Sequence, residues 1–527
     1  MINGNNVIAG NYVEVDGGVF NATDPSTGKQ LTGDFHAADT LLIEKTLNAA
    51  TAAFKVYRII SPAAKATFLR TIADKLTAIG DDLINRAVAE SGLPVGRITG
   101  ELGRTTGQLR LFADLVEEGS WVDAVIDTAQ PERTPIPRSD IRRMFSPIGP
   151  VVVFGASNFP LAFSVAGGDT ASALAAGCPV VVKAHPAHPG TSAMVAAAIS
   201  AAAIETGMPA GVFSMLYDNG YNVGAQLVKH EQTKAVAFTG SYNGGMALIK
   251  LAQERKSLIP VFTEMGSINP VILLPAILNA EPETLAAKYA GSITLGAGQF
   301  CTNPGLILAI KSEGLDRFVT SLGGAIEITP SATMLTAGIW KNYEKLSGEI
   351  LAEPGIELVT KSTAIDKEKV NQSVATIAKV SAEAFIANKK FGEEVFGPWS
   401  LLVVADDAAQ LQQVIESLDG QLTATVMAEK EELPLYGDLL NALTEKTGRI
   451  ILNGVPTGVE VCAAMQHGGP FPATSDSRFT SVGTGAVYRF VRPIAWQDWE
   501  DSLLPPELQQ ANPLNIWRQV NNKWTKE

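Results

Sequence analysis

From residue 150 onward the chain alternates short, uninterrupted apolar runs with longer stretches whose apolar residues recur at helical spacing. The runs PVVVFGA at 150–156, PVVVKA at 179–184, VFSMLY at 212–217, AVAFTG at 235–240 and PVFTEM at 260–265 lack polar alternation, as strands buried on both faces do. Helical segments lie between them, among them TSAMVAAAISAAAIETG at 191–207, which ends in a glycine before Pro209. This order predicts a doubly wound α/β domain on a parallel sheet, with ligands bound beyond the carboxyl ends of its strands. A second series predicts another α/β domain with its own sheet: NPVILL at 269–274, the Cys301 stretch at 291–307, ELVT at 357–360, EEVFGPWSLLVV at 393–404, TATVMA at 423–428 and GRIILNG at 448–454.

The flanking regions follow other patterns. Residues 1–36 predict short strands and turns, with DGG at 16–18 and NATDPSTGK at 21–29 as turn clusters. Helical periodicity runs from 39 to about 83, broken at Ser61-Pro62, where proline suits the first turn of a new helix. GELGRTTGQLRLFADLVEEG at 100–119 predicts a further helix, with Arg104 and Gln108 one turn apart. Residues 122–146 are extended and proline-interrupted, which suits a protruding hairpin or linker. The aromatic, proline-rich stretch 486–527 predicts an arm packed on its own or a neighbouring subunit.

Composition narrows the function. With 527 residues, 46% hydrophobic and 18% charged, the chain is globular and large enough for two or three domains. Its formal net charge of −13 argues against nucleic acid as a partner, because that binding needs clustered Lys and Arg. Every long apolar stretch is interrupted by Gly, Pro or Ser before the ~20 residues of a membrane helix, and the first fifteen residues lack the pattern of a signal peptide. Cys178, Cys301 and Cys462 are scattered without metal-ligand spacing, as expected of a reducing cytoplasm and of a site without metal.

Two stretches could carry chemistry. GSITLGAGQFCTNPGLI at 291–307 surrounds Cys301 with small, nearly uncharged residues; the cysteine is either a nucleophile or a buried filler. FTGSYNGG at 238–245 follows a strand and opens a helix, so it either cradles phosphate oxygens or is a tight connection, and no GxGxxG follows the first strand.

Taken in order, VVFGASNFP at 152–160, VVKAHP at 181–186, FTGSYNGG at 238–245, TEMGSINPVI at 263–272, GQFCTNPG at 298–305 and EVFGP at 394–398 resemble the motifs of the aldehyde dehydrogenase superfamily. The resemblance spans about 150 to 460 and implies a Rossmann-like cofactor domain (1–121 and 147–263), a catalytic domain (264–465) and a small β oligomerisation arm (122–146 and 480–527). It implies that Cys301, held as a thiolate, is the nucleophile, that Asn158 and the Cys301 N–H form the oxyanion hole, and that Glu264 is a general base with a raised pKa. Lys183, Gly240, Ser241, Glu394 and Phe396 would hold NAD or NADP. Relatives that prefer NAD carry a glutamate where this chain has Pro186, so NADP is the expected preference. Arg104 would meet an anionic substrate tail, with Phe163 and Phe300 as apolar walls.

GELGRTTGQLRLF, KAHPAHPGT and QHGGPFPATSDSRFTSVG are similar to the branch that acts on 2-oxoglutarate semialdehyde (2,5-dioxopentanoate). An NADP-dependent fatty aldehyde dehydrogenase is the alternative, and a non-catalytic member of the fold the second. His185 and His188 are expected as loop residues near the cofactor, His467 as a wall of the substrate mouth, and Cys178 and Cys462 as structural. A homodimer or homotetramer is the expected assembly.

Overall fold

The computed structural model describes residues 2–15 and 18–527; Asp16 and Gly17 of the expected DGG turn lie outside the described residues. All five apolar runs of the first series form strands, and their order across the sheet is Val261–Glu264, Ala235–Thr239, Val151–Phe154, Val180–Lys183, Phe213–Leu216. These five are parallel, and Val151 stands in register with both Val180 and Ala235. Asn6–Ile8 and Asn11–Val13 extend this sheet antiparallel beyond Phe213–Leu216.

Helices cover both faces. Asp39 caps Thr40–Tyr57, and Pro62–Ala78 begins at the expected proline, with the Ser61 hydroxyl accepting from the Ala64 N–H. Val95–Glu118 starts five residues earlier than its pattern suggested and ends at Gly119, which is left-handed at φ 82°. Phe68, Leu69, Ile72, Leu109 and Phe112 from these helices share one core cluster with Val151, Val153 and Val180. At ~1.5–3 kcal/mol for each such side chain, this packing holds the helical layer on the sheet.

The second sheet runs Glu357–Lys361, Thr376–Ser381, Trp399–Ala405, Leu306–Ile310, Val271–Leu273, Gln421–Met427, Thr447–Leu452, parallel except for its first strand. Thr376–Ser381 has no counterpart among the expected runs, and Leu306–Ile310 begins at the end of the Cys301 stretch. Conversely, only the end of EEVFGPWSLLVV is strand: Gly397 at φ 157° followed by Pro398 keeps 393–398 as a loop.

A third sheet joins distant parts of the chain. Val491–Gln497 pairs with Ile141–Pro147, which pairs with Val125–Asp127, followed by Arg518–Val520 and Lys523–Thr525. Among the described residues no helix is long and apolar enough to cross a membrane.

Candidate active site

The nucleophile candidate sits on an unusual turn. After the helix Pro282–Thr294, residues Gly296, Ala297 and Gly298 take left-handed conformations at φ 56°, 59° and 64° and turn the chain toward Cys301. A β-carbon on Gly298 would overlap the Gly397 carbonyl, so glycine there is required where the cysteine loop meets the EVFGP loop. Buried Asn269, itself left-handed, donates from its amide to the carbonyls of Cys301 and Asn303, each at 2.9 Å. That fixes the backbone on both sides of Thr302.

Three chemically active side chains converge there. His467 Nε2 lies 3.5 Å from Cys301 Sγ and 3.0 Å from Glu264 Oε1, and the Ser481 hydroxyl donates to Glu264 Oε2 at 2.6 Å. Glu264 ends the edge strand Val261–Glu264 of the first sheet and is 3% exposed; His467 is 1% exposed. An ionised carboxylate can only accept, so Nε2 donates to it, and the buried Nδ1 has no partner.

The electrostatics correct two expectations. Burial pushes Glu264 up, but the charge and hydrogen bond of His467, with help from Ser481 and Cys301, carry it below the ordinary glutamate value, not above it. The Cys301 thiol is pushed well above its usual range by burial and by the Glu264 charge, with Arg104 opposing. It is therefore a protonated thiol at rest, and the expectation of a standing thiolate is replaced by one of deprotonation during reaction.

Asn158 follows the strand Val151–Phe154, and its amide donates to the Gln299 carbonyl at 3.1 Å, two residues before the cysteine. The next turn is held by Glu101, whose Oε1 accepts from the N–H groups of Leu161 (2.8 Å) and Ala162 (3.0 Å). Arg97, Glu101 and Arg104 lie along one face of the helix Val95–Glu118. Arg104 stacks over Phe163, its guanidinium carbon 5.3 Å from the ring centroid, and its Nη2 is buried without a hydrogen-bond partner. Phe300 packs edge-on against Phe159 at 5.6 Å.

Of the expected cofactor residues, Lys183, Gly240 and Ser241 stand at the carboxyl ends of parallel strands of the first sheet, and Glu394 and Phe396 lie in the loop that precedes Trp399–Ala405. Lys183 ends Val180–Lys183, and burial lowers its pKa against the opposing charge of Asp218. Gly240 and Ser241 are exposed at the start of the helix Tyr242–Gln253, where the Ser241 hydroxyl accepts from Gly244. A β-carbon on Gly240 would come within 2.6 Å of the Phe238 ring, and one on Gly266 would overlap the Glu394 carboxylate, so both turns keep close-approach surfaces bare. Glu394 and Phe396 are half-buried, and desolvation pushes Glu394 up to about 7. An exposed helix start, a buried cation and a half-buried carboxyl fit the pyrophosphate, adenosine ribose and nicotinamide ribose of a dinucleotide. His185 and His188 stack at 5.4 Å, and His188 Nε2 lies 2.8 Å from the Ala156 carbonyl.

Sequence reasoning missed Ser481, Asn269, Glu101 and Arg97, and placed His467 only as a wall. Each acts through a partner distant in sequence, the Glu264–His467 pair being 203 positions apart, so no local spacing marks them.

The model of the aldehyde dehydrogenase family matches residues 12–470. Alpha-ketoglutaric semialdehyde dehydrogenase 2 of Azospirillum brasilense is 51% identical over 524 residues, covering 99% of either chain. Alpha-ketoglutaric semialdehyde dehydrogenase of Acinetobacter baylyi is 47% identical over 508 residues, 96% of this chain and 95% of that one. In fold the chain is similar to a betaine aldehyde dehydrogenase from Staphylococcus aureus solved with NAD+, with a TM-score of 0.80 at 19% identity, covering 94% of this chain and 95% of that one. With a family model over most of its length and relatives near half identical end to end, the chain belongs to the aldehyde dehydrogenase family.

Proposed function

We propose that this aldehyde dehydrogenase oxidises 2-oxoglutarate semialdehyde to 2-oxoglutarate, with NADP preferred over NAD. The observation that carries the acidic substrate is Arg104. Its guanidinium is desolvated, has a buried N–H without a partner, and lies in the field of Glu101, Glu264 and Glu460. A substrate carboxylate supplies the missing acceptor, and the names of the two relatives support the same choice.

The Cys301 thiol gives its proton to Glu264, and the sulfur adds to the aldehyde carbon to form a thiohemiacetal. The Asn158 amide and the Cys301 N–H face the oxygen as it becomes anionic, for which Asn158 turns from the Gln299 carbonyl. A nicotinamide held by Lys183, Gly240, Ser241, Glu394 and Phe396 would supply the acceptor for the hydride that this carbon loses, which leaves a thioester on Cys301. Glu264, having returned its proton to solvent, then takes one from water; hydroxide adds to the thioester and the sulfur leaves, releasing the carboxylate. The His467 N–H steadies the Glu264 charge and lies beside the sulfur as it departs.

NADP preference rests on Pro186, which puts no carboxylate near a 2′-phosphate, while Lys183 can attract one. The first sheet with its helices serves as the cofactor domain and the second as the catalytic domain. The third sheet is the arm through which cytoplasmic dimers or tetramers would form; Trp499, Trp517 and Trp524 are exposed there or beside it.

The aromatic cluster of Phe159, Phe163 and Phe300 favours a second reading, a plain aliphatic aldehyde. A panel of aldehydes with and without a terminal carboxylate, run with both cofactors, separates the two. Arg104→Ala should raise KM for the ω-aldehyde acid by about 10–100-fold, the worth of ~1.5–3 kcal/mol in charge-assisted hydrogen bonds, and leave an aliphatic aldehyde nearly unchanged. Equal losses for both substrates would reject the carboxylate assignment.

A further inference from the structure

Arg97 occupies a place that the reaction above does not use. Its guanidinium lies between two rings, with its central carbon 4.8 Å from the Phe159 centroid and 4.3 Å from the Phe300 centroid. Phe159 directly follows Asn158, and Phe300 directly precedes Cys301. Arg97 Nη2 also donates to the Asn158 carbonyl at 2.7 Å, while Nη1 is buried without a partner. Burial lowers the pKa of this group, with Glu101 one turn away and Cys301 opposing that shift.

The chain brings Asn158 and Cys301 to the site on separate loops, one leaving the first sheet and one from the second domain. Their spacing must hold to a fraction of an ångström for the amide and the cysteine N–H to converge on one oxygen. The two loops meet directly through the Asn158 amide on the Gln299 carbonyl, a bond that must yield when the amide serves the substrate oxygen. The Arg97 contacts do not compete with that role, because they engage the Asn158 main chain and the adjoining rings.

We infer that Arg97 is a positioning residue that clamps the Asn158 loop to the Cys301 loop, and so sets the geometry of the oxyanion site for every aldehyde the enzyme accepts. An arginine is well suited to this, because its cation can sit in the corner between two nearly perpendicular rings, attracted to both, while an N–H donates to the carbonyl. Gly296 belongs to the same arrangement, since a β-carbon there would press on Nη1 and on the Phe300 ring.

The inference rests on the roles of Asn158 and Cys301 proposed above, so Asn158→Ala and Cys301→Ala are measured beside the Arg97 variants. Arg97→Met keeps the length and packing between the rings but loses charge and donor; Arg97→Lys keeps the charge and one donor. With an ω-aldehyde acid and an aliphatic aldehyde in parallel, Arg97→Met should lower kcat about tenfold or more for both, a part of the ~10²–10³ that a lost oxyanion donor costs. KM should stay within about threefold, and Arg97→Lys should recover much of the loss, a pattern that general loosening of the fold does not produce. Should Arg97→Met not fold, Arg97→Gln, which keeps an N–H for the carbonyl, is read by the same criteria.

The inference is overturned if kcat stays within twofold of the parent enzyme. It is equally overturned if the loss is confined to KM for the acidic aldehyde, which would make Arg97 a substrate contact. If Asn158→Ala and Cys301→Ala themselves retain turnover, the site assignment fails instead, and the two failures are told apart.

Discussion

Replacing His467 by phenylalanine isolates the contribution of the imidazole to the base. In the parent enzyme burial and hydrogen bonding act on Glu264 in opposite directions, and the His467 contact at 3.0 Å does most to hold its carboxyl below the ordinary value. A hydrogen bond to a charged group is worth about 1.5–3 kcal/mol, and 1.36 kcal/mol corresponds to one pH unit, so its loss should move the Glu264 titration up by about one to two pH units. Ser481 remains and holds the rise to that range. Because the base must be unprotonated to take a proton from water, the acid limb of kcat against pH should move to higher pH by the same amount. The plateau above it should be recovered in part, since Glu264 is still present. The assay is NADPH formation between about pH 5 and 9 at saturating aldehyde, with Glu264→Gln as the control in which the limb disappears. A limb that stays in place, or moves toward lower pH, would refute the electrostatic account of this pair. The sign also governs stability. A carboxyl depressed in the folded state stabilises it above its unfolded pKa of about 4.5, and that contribution fades as pH falls through the folded value. His467→Phe should therefore lower the thermal midpoint near pH 7 more than near pH 4.

Other substitutions test separate parts of the site. Pro186→Glu should shift the ratio of kcat/KM for NAD over NADP upward by tenfold or more, and a parent enzyme that already favours NAD tenfold would contradict the assigned preference. Gly298→Ala combines a left-handed backbone at φ 64° with overlap on the Gly397 carbonyl, so it should lower both the thermal midpoint and kcat; unchanged kinetics would show that the two loops separate freely. Glu101→Gln replaces one of two acceptor oxygens on a carboxyl that burial pushes up; if Oε1 remains the acceptor for Leu161 and Ala162, activity should persist, whereas Glu101→Ala should lower kcat by leaving both N–H groups buried and unpaired. Asn269→Ala, which frees the carbonyls of Cys301 and Asn303, should lower kcat with little change in KM.

The sequence alone determined much of the core of both main sheets, because an apolar run of four or five residues between helical segments is stable only where both of its faces are covered, as at Val151–Phe154 and Val180–Lys183. It also marked Cys301, Glu264, Asn158 and the Gly240-Ser241 turn, since those residues are embedded in short motifs whose order is itself informative. Which elements pair at the edges was left to the tertiary structure. The resemblance grouped 122–146 with 480–527 as one β arm, but the order and register in which 125–127, 141–147, 491–497 and 518–525 pair are not announced by short, half-exposed strands. The protonation states were decided there as well. A carboxyl beside a thiol suggested a raised pKa for Glu264, and folding reversed that by bringing in His467 and Ser481 from more than 200 positions away. The physical reason is common to both: burial and hydrophobic periodicity are local properties of the chain, whereas the field at a buried charge is a sum over whatever groups the fold places around it.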